Sequence, residues 1–258
     1  MSTVNSVDKA ARILLRLARS GAASVADLSR DMELPRSTVY KILVTMERHG
    51  IVERNPTRGD YHLGLRLIEL GHRAQEETDL FAVVHPHLTA LSSATGETVH
   101  FTVLDGLEVL YVDCVESTRR LRTYSVIGVR APVHATAVGK AILAFAPRDL
   151  LDRLLSGPLE RITDNTITDP DALQLDLERT RERGYSVDDR ENDPEIRCVG
   201  APIVDASGFA YASLSVSGPS ERVTRERETE LGRLVVNSAA QIAARAGALV
   251  ERLAPRQP

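Results

Sequence analysis

The sequence predicts an α+β protein in two parts: a small N-terminal domain of helices closed by a hairpin, and a larger C-terminal mixed α/β domain. Two observations carry this. Apolar residues recur at helical spacing through residues 6–48 and then give way to two strand-like runs around a turn. From residue 99 onward strand alternation returns repeatedly, broken by helical stretches but without a strict βαβ rhythm, the pattern of α+β rather than of a doubly wound sheet.

The N-terminal elements follow in order. Ser6 to Ala18 reads as an amphipathic support helix through Val7, Ala10, Ala11, Leu14, Leu17 and Ala18. Ser24 is placed to cap a short helix ending near Asp31. Pro35 pre-sets φ for the first turn of a helix running to about Arg48, and Gly50 stops it. Val39, Ile42, Leu43 and Met46 recur at i, i+3, i+4 and i+7 there and form a stripe that must be buried. Ser37, Lys41 and Arg48 then face outward with Thr38 and Tyr40 on the flanks, hydroxyls and cations suited to phosphates and base edges. Any surface helix has a polar outer face, so the order of elements matters more. Ile51–Arg54 and Tyr61–Leu63 are strand candidates around the turn-rich tip 55–60, with Arg58 at the tip and Arg54 at its base. Three helices and such a hairpin make a winged helix-turn-helix.

Residues 63–77 read as a linking helix with leucines on mixed faces, and a second domain begins near Leu80. Pro86 is expected to open a helix closed by Thr95 and Gly96. Val99, Phe101 and Val103 alternate with His100 and Thr102, and Asp105-Gly106 signals a hairpin into Leu107–Cys114. Arg122–Ile127 is a further strand candidate. Thr136 can cap a helix to Phe145, and Asp169-Pro170 starts another that Gly184 ends. Strands are expected at Tyr185–Asp188, Cys198–Val204 and Tyr211–Ser217, the last two joined across residues 206–208. A final amphipathic helix from Thr224 uses Leu231, Leu234, Val235 and Ile242.

The net charge of −4 conceals an asymmetry. Residues 1–73 hold 12 Lys and Arg against 8 Asp and Glu, a surplus of +4, while the remainder holds 20 against 28 and carries −8. A locally basic module on an acidic body fits a protein that docks one end on phosphates. No apolar run approaches the ~18 residues of a membrane span, and the N-terminus lacks the apolar core of a signal peptide. Cys114 and Cys198 form no metal-spaced cluster and fit a reducing, cytoplasmic setting. No cofactor or metal is expected, and His85-Pro86-His87 lacks further ligands at metal spacing and reads as a helix entry.

Both halves resemble the IclR-type bacterial transcription regulators over roughly residues 5–250. The N-terminal part is similar at LPRSTVYKIL and YHLGLRLIELG. The C-terminal part is similar at GVRAPVHATAVGKAILAF (128–145), GYSVDDRENDPEIRCVGAPIVD (184–205) and YASLSVSGP (211–219). Two positions depart from the family pattern. Glu33 stands in the turn where Gly is common, at ~1 kcal/mol if φ is positive there, and Val204 precedes Asp205 where the family prefers an aromatic residue or His.

The resemblance implies a winged helix-turn-helix domain at 1–63, a linking helix at 64–79 and an effector-binding and oligomerisation domain at 80–258. It implies binding of small metabolites, usually organic or aromatic acids, at Ala137, Val138, Asp188, Cys198, Ser215 and Ser217. The chemistry agrees: Ala137 and Val138 begin a helix, where unpaired N–H groups favour a carboxylate. Ser215 and Ser217, two apart on a strand, share one face. Asp188 would repel an acid unless it meets a hydroxyl or is itself protonated. Thr123, Ala131 and Ile196 are expected to shape the walls. Alternating serines are equally a solvated strand face, and Cys198 taken alone is a small buried hydrophobe.

The function expected is a ligand-responsive transcription regulator, a homodimer or dimer of dimers on a roughly palindromic double-stranded DNA operator. DNA contacts are expected from Arg36, Ser37, Thr38, Tyr40, Lys41, Arg54 and Arg58. The competing classes are a protein-interaction adaptor and a DNA-tethered enzyme using Lys140, or Cys198 with His134 or His100; the resemblance implies binding without turnover.

Overall fold

Helix α1 (Asn5–Ser20) carries an apolar arc wider than the domain buries. Ile13 and Leu17 are buried, and Ala10 and Leu14 pack beside them. Val7, Ala11 and Ala18, expected on the buried face, lie at the exposed edge of the arc. The computed structural model describes residues 4–76, 79–121 and 127–251, and the chain divides into two units, Met1–Glu77 and Thr78–Pro258.

Ser24 caps α2 (Val25–Met32) through a reciprocal box: its hydroxyl accepts the Asp27 N–H at 3.2 Å, and the Asp27 carboxylate accepts the Ser24 N–H at 3.3 Å. Glu33 ends the helix in the left-handed region, at φ 56°. α3 (Arg36–Arg48) follows Pro35 and buries Val39, Leu43 and Met46, with Ile42 half-buried. β1 (Val52–Arg54) and β2 (Tyr61–Leu63) pair antiparallel, and Tyr61 seals the core from below Arg54, whose guanidinium carbon lies 6.0 Å from the ring centre. Asn55 Oδ1 accepts the N–H groups of Thr57 and Arg58 and sets the bend of the wing tip. α4 (Arg66–Glu76) buries no residue.

In the second unit α5 (Leu80–Thr95) begins six residues before Pro86, contrary to expectation. Leu80, Val84, Leu88 and Leu91 are all buried along one face, and that burial outweighs the helix hydrogen bond Pro86 cannot donate. β3 (Thr98–Asp105) and β4 (Glu108–Val115) pair from Asp105–Glu108, so the hairpin loop is Gly106-Leu107, one residue later than the Asp-Gly signal placed it. Gly106 takes φ +68° there. β5 (Arg130–Pro132) and α7 (Arg148–Leu155) are elements the sequence reading lacks; each is short, and α7 is held by buried Leu150, Leu151 and Leu154. The strand candidate Arg122–Ile127 lies outside the described residues except for Ile127, which is in a turn. α6 (Ala137–Phe145) and α8 (Pro170–Arg183) start at their caps Thr136 and Asp169. β6 (Ser186–Asp189), β7 (Ile196–Val204) and β8 (Ala210–Pro219) precede α9 (Glu228–Glu251), which starts four residues after Thr224.

The six strands form one antiparallel sheet in the order β5-β4-β3-β8-β7-β6. Helices cover both faces. Val99, Phe101, Val199, Ala201, Leu214 and Val216 pack with α5 and α9, and Leu104 and Val109 pack with α6, α7 and α8. Strand alternation therefore turns His100, Cys198, Ser215 and Ser217 away from the α5–α9 core. A Cβ on Gly139 would stand 2.3 Å from the Val133 carbonyl, so only glycine lets α6 pack this close.

Candidate functional site

On α3 the residues expected to meet DNA stand outward. Arg36, Ser37, Tyr40 and Lys41 are exposed and Thr38 is half-buried, while Arg54 and Arg58 are exposed on the wing. The helix presents one turn of hydroxyl and cation, and the wing adds two guanidiniums on the same unit. Arg58 is tethered by Asp60 at 3.2 Å.

In the second unit Ala137, Val138, Asp188, Cys198, Ser215 and Ser217 all line one cavity of about 250 Å³. Ala131 and Ile196 line it as well; Thr123 lies outside the described residues. The strand register explains the convergence: Asp188 sits opposite Cys198, Cys198 opposite Ser217, and Ser215 opposite His100. α6 points its N-terminus at this group. Thr136 accepts the Gly139 N–H at 3.1 Å, which leaves the N–H groups of Ala137 and Val138 without acceptors within the helix. The site is a polar wall opposite an anion-attracting helix end.

Tyr111, Arg130 and Asn192 also line the cavity and were missed by the sequence reading, and so does His100, which that reading named only as a possible partner of Cys198. His100 Nδ1 lies 3.2 Å from Ser217 Oγ, and its ring meets Tyr111 edge-on with centroids 5.2 Å apart. The available signal was parity, since His100 alternates with Val99 and Phe101. Its register against Ser215 is not visible in a single strand. Arg130 is half-buried and held by Asp105, with Glu108 3.8 Å away.

Burial sets the charges. It drives His100 down to about 4, so the imidazole is neutral at pH 7. Burial also holds the Cys198 thiol and the Tyr111 phenol well up, both protonated. Asp188 is pushed up to about 7, by burial first and by the nearby Glu191 charge second, against the pull of the Glu191 and Asn192 backbone N–H groups and of Lys140.

Of the residues behind the enzymatic alternatives, Cys198 and His100 both line the cavity, with Ser217 opposite Cys198 and 3.2 Å from His100 Nδ1. Lys140 is buried and paired with Glu191 and Asp176. His134 does not line the cavity; its Nε2 meets the Glu160 carbonyl at 2.9 Å. His85 lies within α5, 3.0 Å from Asp113. Among the described residues no cluster of three or more His, Cys, Asp or Glu could hold a metal ion, and no helix is long and apolar enough to cross a membrane.

A winged helix in one unit and a polar cavity under a helix N-terminus in the other are the parts of a ligand-responsive transcription regulator. The family profiles described as IclR helix-turn-helix domain and Bacterial transcriptional regulator IclR C-terminal match residues 6–56 and 72–244. The HTH-type transcriptional regulator KdgR of Escherichia coli K12 is 36% identical over 246 residues, which is 95% of this chain and 94% of that protein. Among solved structures, an IclR transcriptional regulator from Alicyclobacillus acidocaldarius has a TM-score of 0.87 at 28% identity, covering 95% of this chain and all of that one. An IclR homologue from Microbacterium hydrocarbonoxydans complexed with 4-hydroxybenzoate has a TM-score of 0.80 at 27% identity, covering 93% and 98%. This chain belongs to the IclR family of bacterial transcription regulators.

Proposed function

We propose that this regulator senses a small organic acid carrying a hydroxyl or similar polar group, bound in the cavity at the α6 N-terminus. One observation carries the reading: six residues drawn from α6, β6, β7 and β8 converge on a single cavity. The Ala137 and Val138 N–H groups take the acid's carboxylate, Ser215 and Ser217 its polar substituents, and Asp188 a hydroxyl. The Microbacterium homologue, solved with 4-hydroxybenzoate, supports an aromatic hydroxy acid as the first compound to try. Binding occurs without turnover in this reading, because a nucleophilic Cys198 would need a lowered pKa and burial raises it.

The protein acts in the cytoplasm on double-stranded DNA, with Arg36, Ser37, Thr38, Tyr40 and Lys41 in the major groove and Arg54 and Arg58 along the backbone. It acts as a homodimer or a dimer of dimers on a roughly palindromic operator. Support for self-association is the apolar surface left open on the first unit: Val7 and Leu15 on α1, and Ile68 and Leu70 on α4, are each more than half exposed.

The test is a thermal-shift panel of keto, hydroxy and aromatic acids and their amides on the purified chain, with 4-hydroxybenzoate included. At a hundredfold excess over Kd a binder adds ~2.7 kcal/mol, visible as several degrees. A shift abolished by Ser215→Ala, together with altered operator affinity, is expected. Shifts that survive both Ser215→Ala and Asp188→Asn would move the effector to another place.

A further inference from the structure

Lys140 does not line the cavity, yet it stands one helical turn behind Ala137, which does. Its side chain is 1% exposed, and Nζ contacts Glu191 Oε1 at 2.6 Å and Asp176 Oδ2 at 2.8 Å. Glu191 donates its backbone N–H to Asp188 Oδ1 at 2.6 Å. Three carboxyls and one ammonium are thereby linked from α8, through α6, to the cavity wall. Fully ionised, such a cluster would hold two uncompensated negative charges away from water, which is costly. Lys140 touches Glu191 and Asp176 but makes no contact with Asp188. Asp188 is the carboxyl left for a proton.

We infer that Glu191, held by Lys140 and Asp176, is a positioning residue that favours the protonated form of Asp188 and so admits an anionic effector that an ionised Asp188 would repel. This rests on the cavity being the effector site. A protonated Asp188 donates a hydrogen bond to a bound acid; an ionised one repels it. Glu191 does this from outside the lining through its charge, which outweighs the opposite pull of its own main-chain N–H on Asp188 Oδ1. Its Oε2 is buried and accepts no hydrogen bond among the described residues, so its charge is poorly compensated on the side away from Lys140.

The other groups around Asp188 do not supply the missing cation. Cys198 on β7 and Tyr111 on β4 are held protonated and neutral by burial, and His100 on β3 is neutral at pH 7. Asp193 also borders the cavity and adds negative charge, while Arg130 on β5 is engaged by Asp105. The position of Asp188 near 7 agrees with this placement.

The test is a carboxyl 13C NMR titration of the full chain, with Asp188→Asn to assign the resonance. The Asp188 midpoint is expected near 7 in the natural protein. It should fall by about a pH unit in Glu191→Gln, and by less in Asp176→Asn, because each removes a negative charge from the cluster. Asp176 is partly exposed, so that variant keeps the question open to measurement even if Glu191→Gln does not fold. An ordinary carboxylate midpoint in the natural protein, or an unmoved midpoint in the folded variants, overturns the inference. Calorimetry with 4-hydroxybenzoate and 4-hydroxybenzamide at pH 7 gives the second readout. A one-unit fall cuts the protonated fraction from about a half to about a tenth, so acid binding weakens about fivefold in Glu191→Gln while amide binding holds. Equal losses for both compounds contradict the selective role. If neither compound binds the natural protein, the acid-sensing reading fails for this compound, and the titration alone decides the role of Glu191.

Discussion

The imidazole Nδ1 of His100 and the hydroxyl of Ser217 lie 3.2 Å apart, on neighbouring strands of the β3–β8 pair and inside the cavity. They are 117 residues apart in the chain. With the Tyr111 ring against it, His100 is enclosed and its charged form is strongly disfavoured. Its ring resonances should titrate with a midpoint near 4 in an NMR pH series. The folded value lies below the ordinary 6.5, so the stability tied to this residue is full above about 6.5 and is lost as pH falls toward 4. A midpoint near 6.5 would show that water reaches the ring freely.

Asp188 behaves in the opposite sense. Its folded value of about 7 lies above the ordinary 3.8, so the stability it permits is full below about 4 and is lost as pH rises through 7. Asp188→Asn should therefore gain stability over the natural protein at pH 8, by up to about 4 kcal/mol, and gain nothing at pH 4. Urea midpoints at the two pH values check this. An equal difference at both would assign the effect to packing rather than charge.

Lys41→Ala and Arg54→Ala should each weaken operator binding and flatten its dependence on salt. Each lost phosphate contact removes about 0.9 from the slope of log K against log salt. The measurement is fluorescence anisotropy between low and moderate salt. Unchanged slopes in both variants would place the contact surface elsewhere on the winged helix.

Glu33 occupies the left-handed region at φ 56°, at the junction of α2 with the turn before α3. Glu33→Gly removes the Cβ that makes this conformation unfavourable and should stabilise the chain by about 1 kcal/mol. Chemical denaturation reads the gain, and a loss would mean the Glu33 side chain contributes more than its backbone costs.

Most element starts were legible because their signals are local. Ser24, Thr136 and Asp169 each cap the helix expected of them, since a cap needs only a side chain and a backbone N–H three residues on. Pro86 misled for the same reason: its local meaning is a helix start, and only the burial of Leu80 and Val84 in the sheet-facing core shows why the helix extends past it. α7 escaped because eight residues with leucines facing other elements carry too little pattern alone.

The candidate site divides along the same line. Ser215 and Ser217 sharing a face, and the α6 start at Ala137, follow from periods of two and 3.6 residues, which the sequence by itself determined. The family resemblance named the positions that converge. Only the tertiary structure decided that His100 lies beside Ser217 and that Lys140 sits between Asp176 and Glu191. Strand register and helix docking are set by how distant apolar faces bury one another, and the charge state of Asp188 depends on its burial and on Lys140 of α6 as well as on Glu191 and Asn192 in the loop after β6. No local pattern along the chain encodes those distances.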